Sequence, residues 1–130
     1  MVKKNMDESK KGFIKQLGGI AFKKISENNY EFSGEVKELH LNTSGIAHGG
    51  DVSTIADAGM GTAAHMVASG KRCVTINLDI KFISPGKLGD KLIGKVNIQK
   101  RTKSLIFISC EINNKEDIVA SANGTWKILN

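Results

Sequence analysis

The sequence is poor in aromatic residues, proline and cysteine, and each shortage narrows what the chain can do. Five Phe, one Tyr and one Trp make up 5% of its 130 residues. They fall mostly at core-phase positions, which leaves no stacking platform of the kind a single-strand nucleic-acid binder uses. The formal charge of +6 favours anionic partners in general, but it does not select nucleic acid among them. The two cysteines, Cys73 and Cys110, form no CxxC pair and no metal spacing, so nothing calls for an oxidising compartment. Cys110 lies on the apolar phase of a strand and reads as a small core residue. The three histidines, His40, His48 and His65, match no metal motif, and no metal site is expected. His65 points away from the apolar stripe of its helix and is expected to face solvent. No apolar run is long enough to span a bilayer. The basic N-terminal stretch (Lys3, Lys4, Lys10, Lys11, Lys15) is not followed by an apolar segment, so it reads as a solvated helix rather than a secretory signal. A cytoplasmic protein with no membrane partner is the expectation.

What is present is 40% hydrophobic residues, mostly aliphatic, in a length that suits a single domain over 1–130 with one core. A radius of gyration of roughly 14 Å is small for enclosing a large substrate, which points to a site shared between subunits. Met6 to Leu17 reads as a short helix stopped by Gly18-Gly19. Ile20 to Ser26 and the alternating Tyr30, Phe32, Gly34 and Val36 read as a hairpin turning at Glu27-Asn28-Asn29. Val52, Ile55, Ala56, Gly59, Met60, Ala63, Met66 and Val67 recur at helical spacing and fall within about 80° of a common centre. They predict one helix from near His48 to Ala68, roughly 30 Å long. Four strands follow. Their alternating sets begin with Val74, Ile76, Leu78, Ile80 and Phe82, and then with Leu92, with Ile106 and with Ile118. Runs of antiparallel strands and one long helix predict an α+β domain with a curved sheet wrapped around the helix.

Asn42-Thr43-Ser44-Gly45-Ile46-Ala47-His48-Gly49-Gly50 precedes that helix. A helix N-terminus offers unpaired N–H groups and the positive end of the dipole, and two glycines there let a substrate approach the backbone. Such an end can polarise a carbonyl and stabilise an oxyanion. Asp57 lies two turns further on and points roughly 130° from the apolar centre, where a ligand or a neighbouring subunit can reach it. The alternative for the same residues is a tight turn, a cap and a solvated carboxylate.

The combination Asn42…Gly45-x-x-His48-Gly49-Gly50…Ile55-Ala56-Asp57-Ala58-Gly59-Met60-Gly61 resembles the signature of the hotdog-fold acyl-CoA thioesterases. The likeness is to the phenylacetate-pathway (PaaI-like) branch, related to 4-hydroxybenzoyl-CoA thioesterases. It continues through Val74–Gly86, Gly89–Leu92 and Val119–Trp126. The resemblance implies an antiparallel sheet wrapped around one central helix and hydrolysis of an acyl- or aryl-CoA thioester. It also implies a dimer or dimer of dimers with sites at the subunit boundary. By the same resemblance Asp57 is the nucleophile or general base, the Gly49 N–H polarises the carbonyl, and Asn42 orients the carbonyl or the water. His48 orders the loop, and Thr75 supplies a hydroxyl from the neighbouring subunit. Gly50 permits close approach. Lys81, Lys100, Arg101 and Lys103 are candidates for the phosphates of coenzyme A, which is part of the substrate; no separate cofactor is expected. Asp51 stands where relatives usually carry an apolar residue, and its charge is expected to repel anionic ligands nearby. Lys103-Ser104 replaces a glycine-containing turn.

The alternatives are a non-catalytic acyl-CoA-binding protein of the same fold, which would lack Asp57, and a dehydratase, which needs a different His and acid arrangement. A thioester is activated toward attack, so a carboxylate suffices, either attacking directly or taking a proton from water.

Overall fold

The computed structural model describes residues 11–130. Its elements are helix α1 (Gly12–Gln16), strands β1 (Ala21–Ser26) and β2 (Asn29–Glu35), a 3-10 turn (Glu38–His40), helix α2 (Gly49–Val67), and strands β3 (Cys73–Phe82), β4 (Lys91–Arg101), β5 (Leu105–Asn113) and β6 (Ile118–Ile128). The expected N-terminal helix is present as α1, with the start expected at Met6 lying outside the described residues. The six strands form one antiparallel sheet in the order β1-β2-β4-β5-β6-β3.

Alternation on β4, β5 and β6 puts Leu92, Val96, Ile106, Ile108, Ile112 and Trp126 on the covered face. Against them α2 buries Val52, Ile55, Ala56, Gly59, Met60, Ala63 and Ala64. The predicted stripe is therefore the buried one over most of its length, with Met66 and Val67 only partly buried at its end. Two glycines set the distance between helix and sheet. A Cβ on Gly59 of α2 or on Gly94 of β4 would overlap the ring of Phe32 from β2. Phe32 is thus clamped between helix and neighbouring strand, 1% exposed.

Strand β3 departs from the pattern its sequence suggests. Its alternating apolar residues were expected to share one covered face, yet Val74, Ile76 and Phe82 are 40%, 55% and 56% exposed. β3 is an edge strand, and its register with β6 shifts between Thr75 and Asn77. That bulge inverts the phase of everything before it. Leu78 and Ile80 lie opposite Gly124 and Ala122, whereas upstream it is Thr75 and Cys73 that lie opposite the inward Trp126 and Ile128. The inversion turns a polar residue, Thr75, toward the helix.

Candidate active site

Helix α2 starts from a knotted loop. The Asn42 side-chain oxygen accepts the N–H groups of Ser44 (2.9 Å) and Ile46 (3.2 Å), and the Asn42 N–H donates to the Ile46 carbonyl (2.8 Å). Gly45 takes φ +80° inside this turn, a region that favours glycine. The Ala47 N–H reaches the Gly86 carbonyl and the His48 N–H the His40 carbonyl, each at 2.8 Å. The loop is thereby tied to the bend after β3 and to the 3-10 turn. With its oxygen engaged, Asn42 keeps its amide N–H groups as donors.

His48 caps the helix. Its Nδ1 accepts the Gly50 N–H at 2.8 Å. The Gly50 amide is thereby committed to the cap. The Gly49 N–H sits at the first helical position, where the helix supplies no acceptor. The Phe82 ring lies over Gly49, 3.3 Å from where a Cβ would stand.

About two turns further on, Asp57 is half-buried. Thr75 Oγ1 donates to Asp57 Oδ1 at 2.7 Å. Thr75 was expected to reach across from a neighbouring subunit; instead its own chain's carboxylate holds it, because the β3 bulge turns it inward. Asp57 and Thr75 line a cavity of about 570 Å³. Asn42 and Gly49 line a different one, of about 460 Å³, together with Phe82 and Pro85. Within one chain, then, the expected residues fall into two separate pairs.

Asp51 does not face either cavity. Its side chain is 7% exposed and points inward, with Oδ1 lying 4.0 Å from His40 Nε2. That contact is not an ion pair. His40 Nδ1 accepts the Lys37 N–H (2.9 Å) and Nε2 lies 2.6 Å from the Leu17 carbonyl, so the single proton of a neutral ring sits on Nε2 and is given to Leu17. Asp51 Oδ1 is left without a hydrogen-bond partner among the described residues. Burial pushes the Asp51 carboxyl above its ordinary value. The expected repulsion of anionic ligands by Asp51 is replaced by a buried carboxyl beneath the helix start.

The basic candidates are dispersed. Lys81 is exposed and pairs with Ser121, on the sheet face opposite Leu78 and Ile80 and away from Asp57. Lys100, Arg101 and Lys103 are exposed at the β4–β5 hairpin. Arg101 is near enough to Cys73 to offset part of the burial that raises its thiol pKa. Sequence reading missed three residues. His65 is half-buried and lines the Asp57 cavity rather than facing solvent, and Arg72 and Trp126 line it too. His65 follows Asp57 by two helical turns, which is a usable signal; Arg72 had none.

A profile of the Thioesterase superfamily matches residues 44–121, from the loop before α2 into β6. The chain belongs to that superfamily. This thioesterase is 34% identical over 94 residues to a candidate esterase of Pseudomonas aeruginosa, covering 72% of this chain and 70% of that protein. It is 29% identical over 105 residues to human acyl-coenzyme A thioesterase 13, covering 81% of this chain and 75% of that one. Among solved structures, the E. coli PaaI protein from the phenylacetic acid degradation operon superposes with a TM-score of 0.87 at 25% identity, over 99% of this chain and 91% of that one. A Streptococcus pneumoniae thioesterase protein with coenzyme A gives 0.79 at 25% identity, over 86% and 90%. The hotdog fold and the class, thioester hydrolase, follow from this set. No helix among the described residues is long and apolar enough to cross a membrane.

Proposed function

We propose that this thioesterase hydrolyses acyl-CoA thioesters with Asp57 as its reacting carboxylate. The observation that carries this reading is the Thr75–Asp57 hydrogen bond of 2.7 Å at the wall of a cavity. A carboxylate fixed in this way, and open to a substrate, is poised as general base or nucleophile. The Gly49 N–H, reinforced by the helix dipole, polarises the thioester carbonyl and receives the charge that develops on its oxygen. The Asn42 amide donates to the same carbonyl or to the attacking water. Acting as base, Asp57 takes a proton from water while the water oxygen bonds to the carbonyl carbon; the C–S bond then breaks and the thiolate leaves with a proton. Acting as nucleophile, its oxygen bonds to the carbonyl carbon as the C–S bond breaks and the thiolate leaves, and water then hydrolyses the mixed anhydride to the free acid and the Asp57 carboxylate.

The division of these residues between two cavities supports a site completed by a second copy, with Asp57 and Thr75 from one chain facing Gly49 and Asn42 of the other. The unpaired edge of β3, with Val74 and Ile76 exposed, is the surface through which two copies pair. Coenzyme A belongs to the substrate, and Lys100, Arg101 and Lys103 are its proposed phosphate contacts.

Free thiol release from aryl-, short- and medium-chain acyl-CoAs tests the reading. Asp57→Asn is expected to lower kcat by on the order of a hundredfold or more with the fold intact. No release from any acyl-CoA by the wild type, alongside tight acyl-CoA binding, would replace the enzyme with a binding protein.

A further inference from the structure

The cavity beside Asp57 is a trough with unlike ends. Its floor runs along α2 through Asp57, Gly61 and His65, spaced four residues apart and so on one face of the helix. Eight residues of helix rise about 12 Å. Its wall is the start of β3, from Thr75 back through Cys73 to Arg72, about 10 Å for three residues of strand. Since Thr75 touches Asp57, the two runs share an origin, and both end in a nitrogen donor: His65 on the floor and Arg72 on the wall. Gly61 keeps the middle open, and the Trp126 indole nitrogen lies 3.4 Å from where its Cβ would stand. Neither Arg72 nor His65 has a carboxylate within ion-pair distance among the described residues.

Building on the thioesterase reading, we propose that this trough takes an acyl group ending in an anionic oxygen, a carboxylate held by Arg72 and His65. A plain alkyl tail entering the trough would strip water from Arg72 and His65 and return no hydrogen bond. A terminal carboxylate returns charge-assisted bonds to both. The length fits: with the thioester carbonyl at Asp57, an extended chain of six to eight carbons places its far carboxyl carbon about 6–9 Å away, and the side chains of Arg72 and His65 reach back over the remainder of the roughly 10–12 Å of backbone rise. The diphosphate of coenzyme A is too far from its sulfur, by the full pantetheine arm, to occupy the same end.

The test compares adipoyl- and suberoyl-CoA with hexanoyl- and octanoyl-CoA, using wild type, Arg72→Met and His65→Leu. The expected result is a wild-type kcat/KM at least about tenfold higher for the diacid of each pair, the scale on which a site built to bond a polar group rejects its absence. Arg72→Met should remove most of that preference, chiefly by raising KM for the diacids. Equal or better turnover of the alkyl esters by wild type overturns the proposal, as does a preference that survives both variants. An Arg72→Met variant weakened equally toward all four esters, and inhibited less by free coenzyme A, also overturns it and assigns the arginine to the coenzyme. If no ester is hydrolysed, the thioesterase reading fails separately. Calorimetric affinities of the four ligands then decide: tighter diacid binding upholds the trough, and equal affinities overturn it.

Discussion

Thr75 is exposed and packs little, so its contribution lies in orienting Asp57 rather than in stability. Thr75→Ala should lower kcat roughly tenfold, the scale of a lost positioning contact, while thermal unfolding stays unchanged; Thr75→Ser, which keeps the hydroxyl, should retain most of the activity. Steady-state kinetics beside a melting curve separates these outcomes. Asp51 is the opposite case, a buried group acting on stability. Its folded pKa is raised above the ordinary 3.8 by burial, so the folded state binds its proton more tightly than the unfolded state does. Its contribution to stability is fully present below the unfolded value and is lost as pH rises through the folded value. Asp51→Asn, which keeps the shape without the charge, should therefore be more stable than wild type at neutral pH by on the order of 1 kcal/mol. The difference should vanish in acid, as read from chemical unfolding across pH.

At the scale of elements, the long helix and the inner strands were legible because each obeys one period without interruption. Val52 through Ala63 keep 3.6, and Leu92 through Ile98 keep 2. Strand β3 was misread because a bulge is an insertion into the period. Val74, Ile76 and Leu78 look like one face on paper, yet the shift at Ile76 divides them. That single irregularity decides which side Thr75 takes, and so whether its hydroxyl meets Asp57 from within the chain. Gly124, opposite Leu78 just past the bulge, carries its trace, since a Cβ there would stand 2.6 Å from the Asn77 carbonyl oxygen; a lone strand glycine signals such close approach. Asp51 and Arg72 were illegible for a different reason: burial of a first-turn carboxylate and the meeting of a strand start with a helix end are set by tertiary contacts. The packing of helix on sheet gives a sharper test. Gly59→Ala, harmless by helix propensity, forces a methyl group into the Phe32 ring and should destabilise the protein by about 1–3 kcal/mol, measured by denaturant unfolding.

For the whole molecule, the deciding quantity is the number of chains that make one site. Asp57 and Thr75 line one cavity, Gly49 and Asn42 another, and a reaction needs the carboxylate and the carbonyl-polarising amide on the same carbonyl carbon. The proposed twofold dimer would join the first pair of each chain to the second pair of the other, giving two equivalent sites. This division of labour makes a prediction that no monomeric arrangement shares. Asp57→Asn alone and Asn42→Ala alone should each be nearly inactive, since every site in either homodimer lacks one group. Mixing the two after dissociation and reassembly should restore activity. Random pairing makes about half of the dimers mixed, and each mixed dimer holds one site with both groups and one with neither. The recovered rate should approach about a quarter of wild type. Light scattering on the same samples should show a dimer or a multiple of it. Two inactive variants that remain inactive after confirmed exchange of subunits would mean that each chain closes its own site.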